Sequence, residues 1–252
     1  MDGGQAVVRT LIDYGVDTAF SVPGESDLPI LRAIQNAGNA IQLVTPRHES
    51  GVTFAAEAYG KLTGRPAAGF VSRGPGATNA SIGVHTASQD STPLLLFVGH
   101  VPTGSKGKEA FQEVDYHQMF GKIAKGVFEP ESSAEVPDVV ARAVTLTTAG
   151  RPGPVIVVMP KDITEGDAGD AAAPPLRPRA RAGMAPDDVT EAAAMINAAK
   201  HPIMITGEMA SIDDAHPALI AFAEASGVAV SAAYRRQDTF PNEHPAYFGH
   251  LE

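Results

Sequence analysis

Pro46-Arg47-His48-Glu49 sets a carboxylate between two contrasting stretches of the chain. Before it runs Ile41-Gln42-Leu43-Val44-Thr45, apolar and β-branched like a buried strand. After it runs Ser50-Gly51-Val52-Thr53-Phe54-Ala55-Ala56-Glu57-Ala58-Tyr59-Gly60, with side chains small enough for a tightly packed helix. A glutamate at that junction stands at the carboxyl end of a strand, where open α/β sheets bind their ligands. It also stands near the first turn of a helix, where negative charge is favoured. Two chemistries follow: Glu49 holds a proton for a ligand, or it caps the helix. Taken alone, these residues favour the cap.

Two further strand-to-helix passages carry residues of the same kind. Phe20-Ser21-Val22-Pro23-Gly24-Glu25-Ser26 contains a Pro-Gly turn, and Gly24 would let bare backbone approach a ring closely. Ser26 is either a polar group of a pocket or the cap of a helix from Leu28, with nothing to choose between them. Val71-Ser72-Arg73-Gly74-Pro75-Gly76-Ala77-Thr78-Asn79 is a Gly-rich loop entering a helix, a setting suited to anions or polar ligands. It lacks the Gly-Lys-Ser/Thr ending of a phosphate-binding loop. Arg73 either binds a substrate carboxylate or reaches solvent, and solvent is the default. His48, His85 and His117 have no metal-ligand spacing and are read as structural or solvent-facing. No Ser-His-Asp set can be argued from chain order. No Gly-x-Gly-x-x-Gly follows the first strand, which disfavours a dehydrogenase-type nucleotide protein.

These passages need a sheet whose strands point the same way, and the chain alternates accordingly. Asp2, with Gln5 three residues on, starts a helix whose apolar face is Ala6, Val7, Leu11 and Ile12. Strands are expected at 18–22, 41–45, 67–72, 94–98, weakly at 122–128, and at 155–158. Helices are expected at 28–35, 50–62, 77–88 and 134–149. The pattern predicts an α/β fold with a mostly parallel sheet and helices on both faces. Gly166 to Gly183 is rich in Ala, Pro, Arg and Asp without periodicity and reads as a linker. Beyond it, helices at 187–199 and 213–226 and strands at 203–206 and 228–230 begin a second, incomplete α/β domain. The expected division is 1–165, a linker at 166–184, and 185–252.

Bulk properties narrow the function. Hydrophobic residues make up 44% of the 252 and charged ones 19%, which is globular. A formal charge of −10 argues against nucleic acid or an anionic membrane as the main partner. The absence of cysteine excludes disulfides, thiolate zinc sites and cysteine nucleophiles, and is compatible with a cytoplasmic protein. No apolar run of roughly 18 residues and no signal-peptide pattern is present.

The passages around Gly24, Glu49 and Gly76, followed by Asp90-Ser91-Thr92-Pro93 and Ala110-Phe111-Gln112-Glu113, stand in an order that resembles a known family. They resemble the N-terminal, pyrimidine-binding domain of thiamine-diphosphate enzymes, in the acetolactate-synthase-like branch. The resemblance runs from about Gly3 to Asp162, and the remainder looks like the opening of the family's middle domain. It implies that Glu49 is the glutamate bonded to the aminopyrimidine ring nitrogen, the group that activates the cofactor. Apolar neighbours such as Phe54 are expected to bury it and keep a shared proton available. The resemblance further implies cofactor contacts from Val22, Pro23, Gly24, Ser72, Gly76 and Asn79. Phe111, Gln112 and Lys125 match substrate-channel residues, although a lysine is by default a surface residue. Ser26 and Arg73 complete the expected substrate pocket.

The Gly-Asp-Gly and distant asparagine pair that hold Mg2+ and the diphosphate in this family do not occur in the chain. The resemblance therefore implies at most half a site, shared between subunits of a homodimer or homotetramer. FAD binding is left open; Gly207-Glu208-Met209-Ala210 falls where family members often approach a flavin. The implied activity is decarboxylation or carboligation of a small 2-oxo acid, as in acetolactate synthase. Glyoxylate carboligase, oxalyl-CoA decarboxylase, sulfoacetaldehyde acetyltransferase and aldehyde lyase activities stay open, as does a non-catalytic or split-enzyme subunit needing a partner chain.

Overall fold

In a computed structural model, residues 1–176, 183–212 and 215–251 are described, and the chain divides into two units at Arg177/Pro178. Most of the first unit alternates helix and strand: α1 Gly3–Asp13, β1 Thr18–Ser21, α2 Leu28–Asn36, β2 Gln42–Val44, α3 Glu49–Thr63, β3 Ala68–Val71, α4 Pro75–Gln89 and β4 Leu94–His100. It continues with α5 Tyr116–Phe120, β5 Gly126–Phe128, α6 Val136–Thr148, β6 Pro154–Pro160 and α7 Lys161–Glu165. The expected start of α1 forms as read: Asp2 Oδ1 accepts from Gln5 N and Gln5 Oε1 from Asp2 N, both at 2.8 Å.

The strands form a six-stranded sheet in the order β2-β1-β3-β4-β6-β5, with every pairing parallel. Alternation along the strands builds two cores. Phe70, Leu95, Phe97, Val155 and Val157 face α1, α2 and α6, while Val71, Leu96, Val98, Ile156 and Val158 face α3, α4 and α5. Phe70 and Phe97 pair in register across β3 and β4, with ring centroids 4.8 Å apart. Burying each such side chain contributes ~1.5–3 kcal/mol. The chain passes to one side of β1 to make β2 and to the other to make β3. The β1/β3 junction is therefore the switch point at which doubly wound sheets open a ligand crevice.

Three expectations change here. The stretch 41–45 is not a buried strand: β2 lies at the sheet edge and all its residues are exposed. Phe54, on the outer side of α3, is 41% exposed and does not bury Glu49. The expected strand at 122–128 shrinks to β5, because Ile123 and Ala124 turn back to donate to the Phe120 carbonyl.

The start of the expected linker belongs to the first unit. Gly3 donates to Gly166 O, Asp2 bridges Asp167, Ala168 is buried, and Tyr14 donates to Pro174 O at 2.7 Å. Residues 177–182 of that linker lie outside the described residues.

The second unit contains α8 Pro186–Ala198, β7 Ile203–Thr206, α9 Met209–Ile212, α10 His216–Ser226, β8 Ala229–Ala232 and β9 Tyr247–His250. The strands pair in parallel in the order β7-β8-β9 around Ala223, Val230 and Phe240. Asp213 and Asp214, expected to open the helix that forms α10, lie outside the described residues. No described helix is long and apolar enough to cross a membrane.

Candidate functional site

Small residues decide how closely α3 and α4 approach, and that approach builds the site. A Cβ at Gly83 would lie 2.5 Å from Thr53 Cβ, so only glycine fits where the helices touch. Thr53 seals the contact by donating to Ala80 O at 3.0 Å. One end of the pair is thereby fixed with the first turns of both helices side by side. Glu49 is the first residue of α3, and Asn79 lies in the first turns of α4.

The helix cap is not Glu49. His48 takes that position, its Nδ1 accepting from Ser50 N at 3.2 Å. The half-buried Glu49 carboxylate is thus free of capping and turns to α4, where Asn79 Nδ2 donates to Oε2 at 2.9 Å. Among the described residues no hydrogen bond reaches Oε1. A Cβ at Gly76 would sit 3.6 Å from that oxygen and 3.5 Å from Ser72 Cβ, so glycine keeps the space beside the carboxylate clear.

The loops after β1 and β3 close on each other at the switch point. A Cβ at Gly24 would lie 2.5 Å from Ser72 Cβ, so Val22-Pro23-Gly24 can lie this close to Ser72 only with a glycine there. Gly74, with φ of +55°, meets Gln112, itself at φ +63°; a Cβ on Gly74 would come 2.9 Å from Gln112 Cβ. Gly74 N also donates to the buried Tyr116 hydroxyl at 2.8 Å. Burial raises the Tyr116 pKa above the ordinary tyrosine range. The site thus joins Val22, Pro23, Gly24, Ser72, Gly76, Asn79 and Glu49, with Gln112 on the adjoining loop. Phe111, its neighbour, is 77% exposed.

Other candidates fall elsewhere. Ser26 makes no cap bond at α2; its hydroxyl is buried and has no partner among the described residues. Arg73 does not reach out to solvent: its side chain is 15% exposed and faces Glu25 at 3.6 Å. Lys125 is not brought to the site. It precedes β5, at the opposite end of the sheet from the Gly-rich loops, and its ammonium donates to Leu146 O at 2.6 Å and to Ala149 O. Two concave surfaces of this unit lie along α1 and α2, around Val8, Ile12 and Ala33 and around Leu28, Arg32 and Lys161, and neither includes Glu49.

Sequence reasoning passed over Asp27, His100, Tyr116 and Lys161. Asp27 is buried, and desolvation pushes its carboxyl pKa up to about 7. His100, at the carboxyl end of β4, packs edge-on to Tyr116 at 4.9 Å, and its pKa is lowered chiefly by burial. Only the apolar run into Gly99-His100 hints at them in the sequence. Among the described residues no group of three or more His, Asp and Glu is placed to hold a metal ion.

Residues 1–119 match the thiamine pyrophosphate enzyme family through its N-terminal TPP binding domain, and residues 189–252 match the same enzymes' central domain. The acetolactate synthase large subunit of Corynebacterium glutamicum is 34% identical over 99% of this chain and 40% of its own length. That of Lactococcus lactis is 34% identical over 98% and 43%. The acetolactate synthase large subunit IlvB1 of Mycobacterium tuberculosis is 33% identical over 99% and 41%. The chain spans about two fifths of the length of these relatives.

Proposed function

The chain belongs to the thiamine pyrophosphate enzymes, carrying their N-terminal domain and part of their central domain, and we propose that it is the pyrimidine-binding portion of a 2-oxo-acid decarboxylase or carboligase similar to acetolactate synthase. The observation that carries this reading is the state of Glu49: relieved of capping by His48, held through Oε2 by Asn79, and open at Oε1 beside Gly76.

Thiamine diphosphate fits that arrangement, because a carboxylate oxygen without a partner faces space that a single methyl group would occupy. When bound, the cofactor supplies the carbanion chemistry that proteins cannot provide from their own side chains. Glu49 would hold a proton against the pyrimidine ring nitrogen, and Asn79 would keep that carboxylate from turning away. Val22, Pro23, Gly24, Ser72 and Gly76 would wall the ring. Gln112 and Phe111 would lie towards the substrate, on a loop anchored by Tyr116.

Mg2+ and the diphosphate would be held by residues other than those described here, which offer no metal-ligand cluster. In the stretch where a flavin is expected to approach, Gly207 is followed by Glu208, whose carboxylate stands 3.8 Å from the buried Arg236. We further read the enzyme as a cytoplasmic homo-oligomer with a site shared between subunits. Exposed Phe54, Leu62 and Ile82 on α3 and α4 support such a contact, and the charge of −10 supports small-molecule rather than nucleic-acid partners.

The test is Glu49→Gln in the full-length enzyme, followed by hydrogen exchange at the thiazolium carbon. Exchange should slow about 10²–10³-fold with the fold intact, the usual result of removing one such interaction. Exchange at the wild-type rate would refute the assignment.

A further inference from the structure

Arg73 is a cation that the fold nearly buries without giving it a hydrogen bond. Its side chain is 15% exposed, its Nε is buried without a partner, and among the described residues none of its N–H groups donates. Glu25 faces it at 3.6 Å, too far for a hydrogen bond. Glu25 is engaged instead by Lys161, whose Nζ lies 2.7 Å from Oε1. Two cations thus flank one carboxylate, with Glu165 a further negative charge near Lys161.

A second buried donor lies on the loop after β1. Ser26 is 1% exposed and, among the described residues, its Oγ has no partner. Gly99 lies under both residues: a Cβ there would be 2.8 Å from Ser26 Oγ and 3.5 Å from Arg73 N. Glycine at 99 leaves the room that the Ser26 side chain occupies, with the Arg73 backbone on the same side.

A guanidinium has five donors in a planar fork, and burying them without hydrogen bonds is costly. An incoming oxyanion would remove that cost by taking the fork bidentately. Lys161 would keep Glu25 neutralised as the ligand displaced it from Arg73.

We propose that Arg73 and Ser26 form an oxyanion subsite that recognises a group the substrate keeps through the reaction. Retention follows from the chemistry of decarboxylation. A cation held on the carboxylate that departs as carbon dioxide would stabilise the starting state more than the transition state and slow the step. Arg73 therefore serves a second anionic group, and the substrate class is a carbonyl compound carrying a carboxylate or sulfonate beyond the one that leaves. That substrate class rests on the thiamine reading; the anion subsite does not.

The experiment is calorimetric titration of the full-length, cofactor-free protein with 2-oxoglutarate, pyruvate and inorganic sulfate. 2-Oxoglutarate should bind at least about tenfold more tightly than pyruvate, as one charged bidentate contact provides. Arg73→Gln should erase the difference and Glu49→Gln should leave it. Equal affinities, no binding, or a preference surviving Arg73→Gln would overturn the proposal. Melting curves guard against misfolding. Arg73→Met should melt no lower than wild type and should lose stabilisation by sulfate, whereas a lower melting temperature with wild type indifferent to sulfate would make the guanidinium a structural partner of Glu25. If Glu49→Gln exchanges its thiazolium proton normally while the Arg73-dependent preference persists, the cofactor assignment falls and the anion subsite stands.

Discussion

Asn79 donates to Glu49 Oε2 across the gap between two helices, at 2.9 Å, and this bond orients the carboxylate. The two residues are neighbours because Gly83 and Thr53 let α3 and α4 approach closely. Asn79 is exposed and holds up nothing else in the core.

Asn79→Leu should therefore separate orientation from stability. A hydrogen bond to a charged group is worth about 1.5–3 kcal/mol, or roughly 10–100-fold in kcat/KM of the full-length enzyme. The melting temperature should stay within a few degrees of wild type. Unchanged kcat/KM would show that Glu49 needs no partner in this chain.

Two glycines of α4 give opposite expectations from the same substitution. At Gly76 an added Cβ meets only ordinary contacts of 3.5–3.7 Å, so Gly76→Ala should fold and gain up to about 1 kcal/mol of helix stability. It should nonetheless weaken thiamine diphosphate binding, because the methyl group fills the space beside Glu49 Oε1. At Gly83 the Cβ runs into Thr53, so Gly83→Ala should cost about 1–3 kcal/mol. Denaturant melts together with cofactor titration check both, and normal cofactor affinity in Gly76→Ala would contradict the placement of the ring.

The site was legible where local pattern decides geometry, and obscure where distant segments do. Leu94 to Val98 reads as a buried strand in any context, and the Glu49 junction follows from an apolar run meeting small helical residues. Ile41 to Thr45 reads the same way, yet β2 is exposed because its place at the sheet edge depends on strand order. Arg73 read as a solvent-facing residue because its surroundings come from Glu25 and from Lys161, which lie far apart in the chain. β9 escaped notice because four residues ending in Gly249-His250 carry almost no strand signal.

Lys125 illustrates how strand direction overrides spacing. A strand over 122–128 would have carried it within the sheet, but β5 begins only at Gly126 and leaves Lys125 at the amino end. There it caps the last carbonyls of α6, a favourable place for a cation. Lys125→Met should lower stability by about 1 kcal/mol and leave substrate KM unchanged. A raised KM at wild-type stability would return Lys125 to the substrate channel.

Asp27 supplies a pH signature independent of catalysis. Burial raises its carboxyl pKa from 3.8 to about 7, and among the described residues its Oδ2 has no partner. In the unfolded chain the group ionises near its ordinary value, while in the fold it keeps its proton until about pH 7. A raised folded pKa contributes stability that is fully present below about pH 4 and is lost progressively as pH rises to about 7, after which the loss is constant. Asp27→Asn removes this dependence, since the amide does not titrate. The stability of Asp27→Asn relative to wild type should thus grow between pH 4 and pH 7, by something on the order of a few kcal/mol, and level off above. Any fixed cost of fitting the amide shifts the whole curve without changing its slope, so urea melts at pH 4, 5.5, 7 and 8 isolate the titration. A difference that stays flat across that range would mean the carboxyl is hydrated in solution and that the β1–α2 turn is more open than its packing shows.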